Sequence, residues 1–262
     1  MPDRTAVADA ADVVYIYDGS FEGLLSCVFE SYARKEIPSD IVPEEQYELS
    51  LYPTRFIETN HLHFERVKKG VADKIGKDAL TAIWKGYLCS WEGKEIAILH
   101  FIRMGMRDGR RVIYDLANDY VGRLMKSNTT LWNEAHHYMG FVRFSVYENN
   151  AMVSVIEPKH KILPIIKDHF IDRYKNESFL IYDKTHRYAL IYSKGRNIII
   201  PADDYSPPQM SGEEQKLHDM WKLFYETIEI KERRNERCRM TMMPKRFWSQ
   251  LHEMSGNKEA NI

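Results

Sequence analysis

Between residues 134 and 192 the sequence sets His136, His137, Arg143, His160, His169, Arg173, Asp183 and Arg187 among apolar positions whose period marks a core. Histidine titrates near neutral pH, so it serves as general acid, general base or metal ligand. If a helix over 161–174 lies across a sheet, His160, His169 and Asp183 converge. A His/Asp group of that kind binds a metal or activates water. With His136 and His137, which follow Glu134 at a helix end, these form the candidate catalytic set: His136, His137, His160, His169 and Asp183. The opposing reading is structural. The spacing matches no metal motif and adjacent histidines rarely share one ion, which favours hydrogen-bonded, half-buried imidazoles and no bound metal or cofactor. Asp183, facing Arg187 across a short turn, reads first as an ion pair or Asx turn and only then as a base.

The second chemistry-bearing stretch is KERRNERCRMTMMPKR, residues 231–246, which sets Lys231, Arg233, Arg234, Arg237, Arg239, Lys245 and Arg246 against Glu232 and Glu236. Arginine grips phosphate oxygens in pairs, so such a run supplies phosphate contacts even in a chain whose net charge is −1. Arg143, Arg173 and Arg187 from the first stretch join it as candidate nucleic-acid contacts. Phe247 and Trp248 beside the run could stack a base, although aromatics at such spacing more often pack a core. The bland alternative is a solvated helix end with i,i+4 ion pairs.

The elements that must position these residues follow from periodicity. Val142, Phe144 and Val146 alternate with polar neighbours, and Met152–Ile156 returns after the Glu148-Asn149-Asn150 turn, so the two read as a hairpin closed by Pro158. Ile162, Ile165, Ile166 and Phe170 form one helical face; 179–183 and 188–193 form a second hairpin, and 198–200 adds a strand. Upstream, Val13–Tyr17 reads as a strand turned by Asp18-Gly19-Ser20 into a helix with Ser20 as N-cap. That turn is a plain structural one or a weak anion site. Residues 47–51 alternate enough for an edge strand, 105–109 reads as a turn, and Val112, Leu116, Tyr120 and Leu124 continue a helical period. The expected fold is α+β: a mainly antiparallel sheet joining the N-terminal strand to the 141–200 strands, with helices from 161 and 213 covering one face. Residues 12–60 and 141–254 would make that domain, 61–140 a helical insertion, and 1–11 and 255–262 disordered tails.

A chain of 262 residues is one large domain or two small ones. Its three cysteines, Cys27, Cys89 and Cys238, lie far apart with no CxxC or Cys-His pattern, which argues against a disulfide framework, a zinc ribbon and an iron–sulfur cluster. No secretory signal and no membrane-length apolar run is evident, so the expectation is a soluble, cytoplasmic protein.

GFVRF, EPKHKILPIIKDHFIDR and FLIYD-x-x-HR-YALIY, with YDGSFEGLLSCVFESY, RFIET and W-KLFYETIEIKERRNERCR-x-x-x-MPKRFW-x-x-L, resemble the DUF4130 family of bacterial proteins linked to DNA repair. The resemblance spans nearly the whole chain. It implies a partner of a radical-SAM protein in DNA modification or repair, and a similar domain is appended to some uracil-DNA glycosylase-like proteins. It carries no catalytic residues across. The expected function is therefore a DNA-binding partner of a radical-SAM DNA modification or repair enzyme. A DNA-processing enzyme of glycosylase or lyase type and a protein-interaction scaffold are the alternatives.

Overall fold

Val13 to Tyr17 are buried on both faces of their strand, the pattern of a central strand in a parallel sheet. In the computed structural model, which describes residues 11–48, 51–147, 152–203, 205–206, 212–228, 235–251 and 254, that strand is β1 (Ala11–Tyr17). Two compact units divide the chain, Met1–Leu131 and Trp132–Ile262.

In the first unit β1 leads into α1 (Phe21–Ala33), whose N-cap Ser20 accepts from the Gly23 amide at 2.9 Å, as its position before the apolar period foretold. The chain then crosses over to β2 (Pro38–Pro43), and later to β3 (Thr54–Phe56), both parallel to β1, giving the order β2-β1-β3. Helices α2 (His61–Lys74), α3 (Lys77–Leu88) and α4 (Lys94–Asp108) follow, and α5 (Asp119–Phe141) begins within the unit. Leu24, Leu25, Val28, Val71, Ile83, Ile98, Phe101 and Leu124 meet the sheet residues Tyr15 and Tyr17 in one core.

The second unit carries a five-stranded sheet in the order β4-β5-β6-β7-β8: β4 (Ser145–Val146), β5 (Met152–Ile156), β6 (Phe179–Asp183), β7 (Tyr188–Ser193) and β8 (Arg196–Pro201). α6 (Leu163–Arg173) connects β5 to β6, and those two strands are parallel, because a strand–helix–strand crossover returns the chain to the same end. The remaining pairs are antiparallel. Phe144 packs against both Phe170 of α6 and Phe179 of β6. α7 (Gly212–Ile228) and α8 (Glu236–Met242) follow.

The α+β expectation holds, but the sheets are mixed rather than mainly antiparallel, and the N-terminal strand belongs to a separate parallel sheet. Val142 to Phe144 leave only Ser145 and Val146 in strand, since α5 runs on to Phe141. The expected turn at 105–109 is the last turn of α4. The continuous helical period from Val112 is interrupted by a 3-10 segment, Gly109–Tyr114, before α5 starts. β2 replaces the edge strand expected at 47–51; residues 49–50 lie outside the described set. α7 faces β4 through His218, 3.4 Å from the Ser145 hydroxyl, and leaves Leu217, Met220, Trp221, Phe224 and Ile228 exposed rather than turned onto the sheet.

Candidate functional site

Parallel strands bring their carboxyl ends, and the loops leaving them, to one edge, where ligands of open α/β sheets bind. β5 and β6 end side by side at Ile156 and Asp183, tied by the Lys184 amide donating to the Ile156 carbonyl at 2.9 Å. Two loops meet there: 157–162, stiffened by Pro158, and the tight 184–187 turn.

The first loop is held from below by Glu134 of α5. Its carboxylate is buried and accepts the Lys159 amide at 3.0 Å and the His160 amide at 2.9 Å, one on each oxygen. Arg246 Nη1 lies 3.9 Å from the same carboxylate. A buried carboxylate is tolerable only when donors surround it, and two backbone amides plus a guanidinium meet that need. The second loop folds on Asp183, also buried, which accepts the His186 amide at 3.0 Å and lies 2.8 Å from His186 Nδ1. This is the Asx turn foreseen, but its side-chain partner is His186; Arg187, at φ +57°, instead points its guanidinium to 3.9 Å from Asp203. His160 is buried, and burial pulls its pKa down. The Glu134 carboxylate pulls the other way, and the Lys159, His186 and Arg246 charges add to the lowering. Burial, followed by Glu134, pushes the buried Tyr138 hydroxyl well above the usual phenol range.

Of the five histidine and aspartate candidates, His160 and Asp183 therefore share this edge. His136 is exposed on α5. His137 is half-buried, its ring 5.2 Å from Phe247 and 5.8 Å from Phe141, and burial, then Arg246, lowers its pKa. His169 sits on α6 with its ring edge-on to Phe170 at 5.0 Å. Glu134 and His186 complete the cluster instead. Their signals were present: the Asp-x-x-His spacing that closes a tight turn, and a glutamate four residues before Tyr138 on an inward helix face.

The basic candidates do not form one patch. Arg143 donates to the Gly140 carbonyl at 2.9 Å and so caps the end of α5. Arg173 lies over Tyr174 at the end of α6. Arg233 and Arg234 lie outside the described residues; Arg237 is exposed on α8. Arg239, ion-paired with Glu236, and Lys245 both lie over Trp248, at 5.0 and 5.8 Å from its centroid. Trp248 is half-buried and donates to the Met243 carbonyl, whereas Phe247 is fully buried among Tyr138, His137 and Phe141. Arg246 joins the β5/β6 edge, where Lys159, Lys184 and Arg187 are exposed as well. Lys184 is paired with Glu157 at 2.8 Å. Basic side chains rim the edge, Lys184 and Arg187 each beside an exposed carboxylate, over a buried acid–histidine cluster.

A family model for a domain of unknown function, DUF4130, matches residues 92–253. The chain belongs to the DUF4130 family. No curated protein and no solved structure matches it. The DUF4130 match takes in α4, α5, the whole five-stranded sheet and the basic run. Glu134, His160, Asp183, His186 and Arg246 all fall inside it, while the β2-β1-β3 sheet falls outside. Among the described residues of this DUF4130 chain, no group of three or more His, Cys, Asp or Glu is arranged to hold a metal ion. No helix among them is long and apolar enough to cross a membrane.

Proposed function

We propose that this DUF4130 protein binds DNA, as the DNA-binding partner of a radical-SAM DNA modification or repair enzyme. The observation that carries the DNA reading is the cationic rim of Lys159, Lys184, Arg187 and Arg246 on the β5/β6 carboxyl edge. The edge is rigid because Glu134 and Asp183 pin both loops from within, so the cations stand on a fixed frame rather than on free loops. The radical-SAM partner comes from the family resemblance, and the absence of any CxxC agrees with that chemistry residing in another chain.

Anisotropy of a labelled oligonucleotide across a salt series tests the reading. Affinity should fall with a log–log slope of about −0.9 per phosphate contact, and Arg246→Ala and Arg187→Ala should each reduce that slope by about one contact. Absent or salt-independent binding overturns the DNA reading. Failure of the purified chain to co-elute with a radical-SAM protein overturns the partnership separately.

A second reading, an enzyme acting on DNA, has one observation in its favour: a buried aspartate orients the His186 ring, as general-base histidines are oriented. Turnover of uracil- or lesion-bearing oligonucleotides, lost in His186→Asn, supports it. Lack of turnover across a broad lesion panel sinks it.

A further inference from the structure

The first unit carries a surface that the reading above does not use. Along α4 and the start of α5, three pairs of rings and cations stand in a row. At one end the Arg103 guanidinium lies over the Tyr32 ring, 4.7 Å from its centroid. In the middle the His100 and Tyr120 rings stack at 4.1 Å, 10° from parallel. At the other end Arg123 lies over Trp91 at 5.0 Å. The order is fixed by helix geometry. His100 and Arg103 are three residues apart on α4, as are Tyr120 and Arg123 on α5, so each pair of neighbours shares one helix face. Tyr120 meets His100 while Arg123 meets Trp91, just ahead of α4, so α5 runs back against α4 and the three rungs follow one line.

The charges on this row differ from others nearby. Arg107 is held by Asp108 and Arg110 by Asp78. Arg103 instead donates to the Ser31 hydroxyl, and neither it nor Arg123 forms an ion pair with a carboxylate among the described residues. Tyr32, Tyr120 and Arg123 are exposed, and Arg103, His100 and Trp91 half-buried. Unneutralised cations alternating with accessible rings match the phosphate–base alternation of an unpaired strand: guanidinium groups meet phosphates, and ring or guanidinium planes meet bases. A duplex hides its base faces and could use only the cations. Two steps of three residues, one on α4 and one on α5, space the rungs over roughly 9 Å of helix axis. That length takes about three stacked bases at ~3.4 Å each.

We infer that this ladder, Tyr32–Arg103–His100–Tyr120–Arg123–Trp91, is a single-stranded nucleic-acid binding surface, separate from the cationic rim of the second unit. The ring partners of the two arginines come from α1 and from the segment before α4, so no local spacing in the sequence sets either pair together.

The test uses the full chain and fluorescence anisotropy with labelled oligothymidine and oligouridine of ~12 nucleotides, the matching duplex, and heparin as a polyanion without bases. Tyr32→Ala and Arg123→Ala alter exposed side chains, and circular dichroism checks that both variants fold. Tyr32→Ala should weaken single-strand binding by about 5- to 100-fold, with a smaller effect on duplex and heparin, whereas Arg123→Ala should weaken all three. Arg246→Ala, on the rim, should leave the single-strand preference in place. Equal affinity of variant and parent for the single strands overturns the inference. So does an equal loss for heparin and single strands in Tyr32→Ala, which would reduce the row to bare charge. Comparing oligothymidine with oligouridine separates DNA from RNA as the strand bound. Loss of duplex binding in the rim variant alone would bear on the rim and leave the ladder standing.

Discussion

Replacing Glu134 by alanine leaves the Lys159 and His160 amides without their acceptor at the base of the β5/β6 edge. A hydrogen bond to a charged group contributes about 1.5–3 kcal/mol, and a buried donor left unsatisfied costs about 1–3 kcal/mol. The His160 amide is in the buried part of the loop and takes the larger share; the Lys159 side, next to an exposed side chain, can be rescued by water. Removing a buried carboxylate returns part of its own desolvation cost, and the exposed, 3.9 Å contact with Arg246 adds little. The net loss is then about 3 kcal/mol. At roughly 2–4 °C per kcal/mol for a chain of this size, Tm should drop by about 6–12 °C. Glu134→Gln keeps one acceptor and turns an NH2 toward the other amide, so it should fall between parent and alanine. Thermal and urea unfolding measure the loss, and hydrogen exchange localises it: protection should vanish first at amides 159 and 160. The His160 pKa should also fall further, because Glu134 is the charge that holds it up against burial. A Tm within ~2 °C of parent, with unchanged protection at those two amides, would refute the argument that Glu134 clamps the loop.

Acid should destabilise the protein through its buried histidines. His100, His137 and His160 all have folded pKa values lowered, first by burial, so the unfolded chain takes up their protons first. Stability is therefore full above about pH 6.5 and is lost as pH falls from there through the lowered folded values, with His160 contributing at most about 1.4 kcal/mol per pH unit. Glu95 and Asp40, raised by burial, act in the opposite sense at the acid end. His160→Gln should flatten the stability profile below about pH 6.5, to be read by urea midpoints, and an unchanged slope would count against the assignment. Gly122→Ala should destabilise the first unit by about 1–3 kcal/mol despite alanine's better helix propensity, since its methyl would sit 2.7 Å from the Leu116 carbonyl oxygen, which is backbone and cannot swing away. A urea midpoint at or above that of the parent would show that the 114–118 turn gives way instead.

Local features of this chain were legible in its sequence where one element specified itself. The Ser20 cap, α6, the β6–β7 hairpin and β8 all follow from periodicity and turn chemistry within a dozen residues. Strand direction was not, because alternation tells which face is buried and says nothing of which neighbour a strand joins. The hairpin before Pro158 stands as the antiparallel β4–β5 pair, but the parallel pairing of β5 with β6 across α6 is set by the sheet and no local pattern announces it. β2 escaped because PSDIVP is bounded by prolines and gains its partner, β1, only after α1 has crossed over. The candidate site was half legible for the same reason. Asp183 and His186 lie within one turn, whereas Glu134 reaches His160 across a sequence gap that no spacing rule covers. His136 and His137 are adjacent on a helix, so they point about 100° apart, and only their shared chemistry had suggested a shared role.

The two sheets handle the same topological position in the same way. At the carboxyl end of β1, Asp18 accepts the Ser20 amide at 2.9 Å and the Thr59 hydroxyl at 2.7 Å; burial would raise its pKa, but these hydrogen bonds outweigh it and hold the carboxylate ionised. A methyl on Gly23 would come within 2.2 Å of that carboxylate, so the first turn of α1 already has its anion. At the carboxyl end of β6, Asp183 closes its own turn, and Glu134 fills the concavity of amides in the neighbouring loop. Where a phosphate-binding α/β protein leaves those donors open, this chain spends them on its own carboxylates, which resolves the anion-or-structure alternative at Asp18-Gly19-Ser20 toward structure. On the DNA reading proposed above, phosphate contacts would come from side chains rather than from these backbone amides, and both proposed surfaces, the rim of lysines and arginines and the ring–cation ladder, are of that kind.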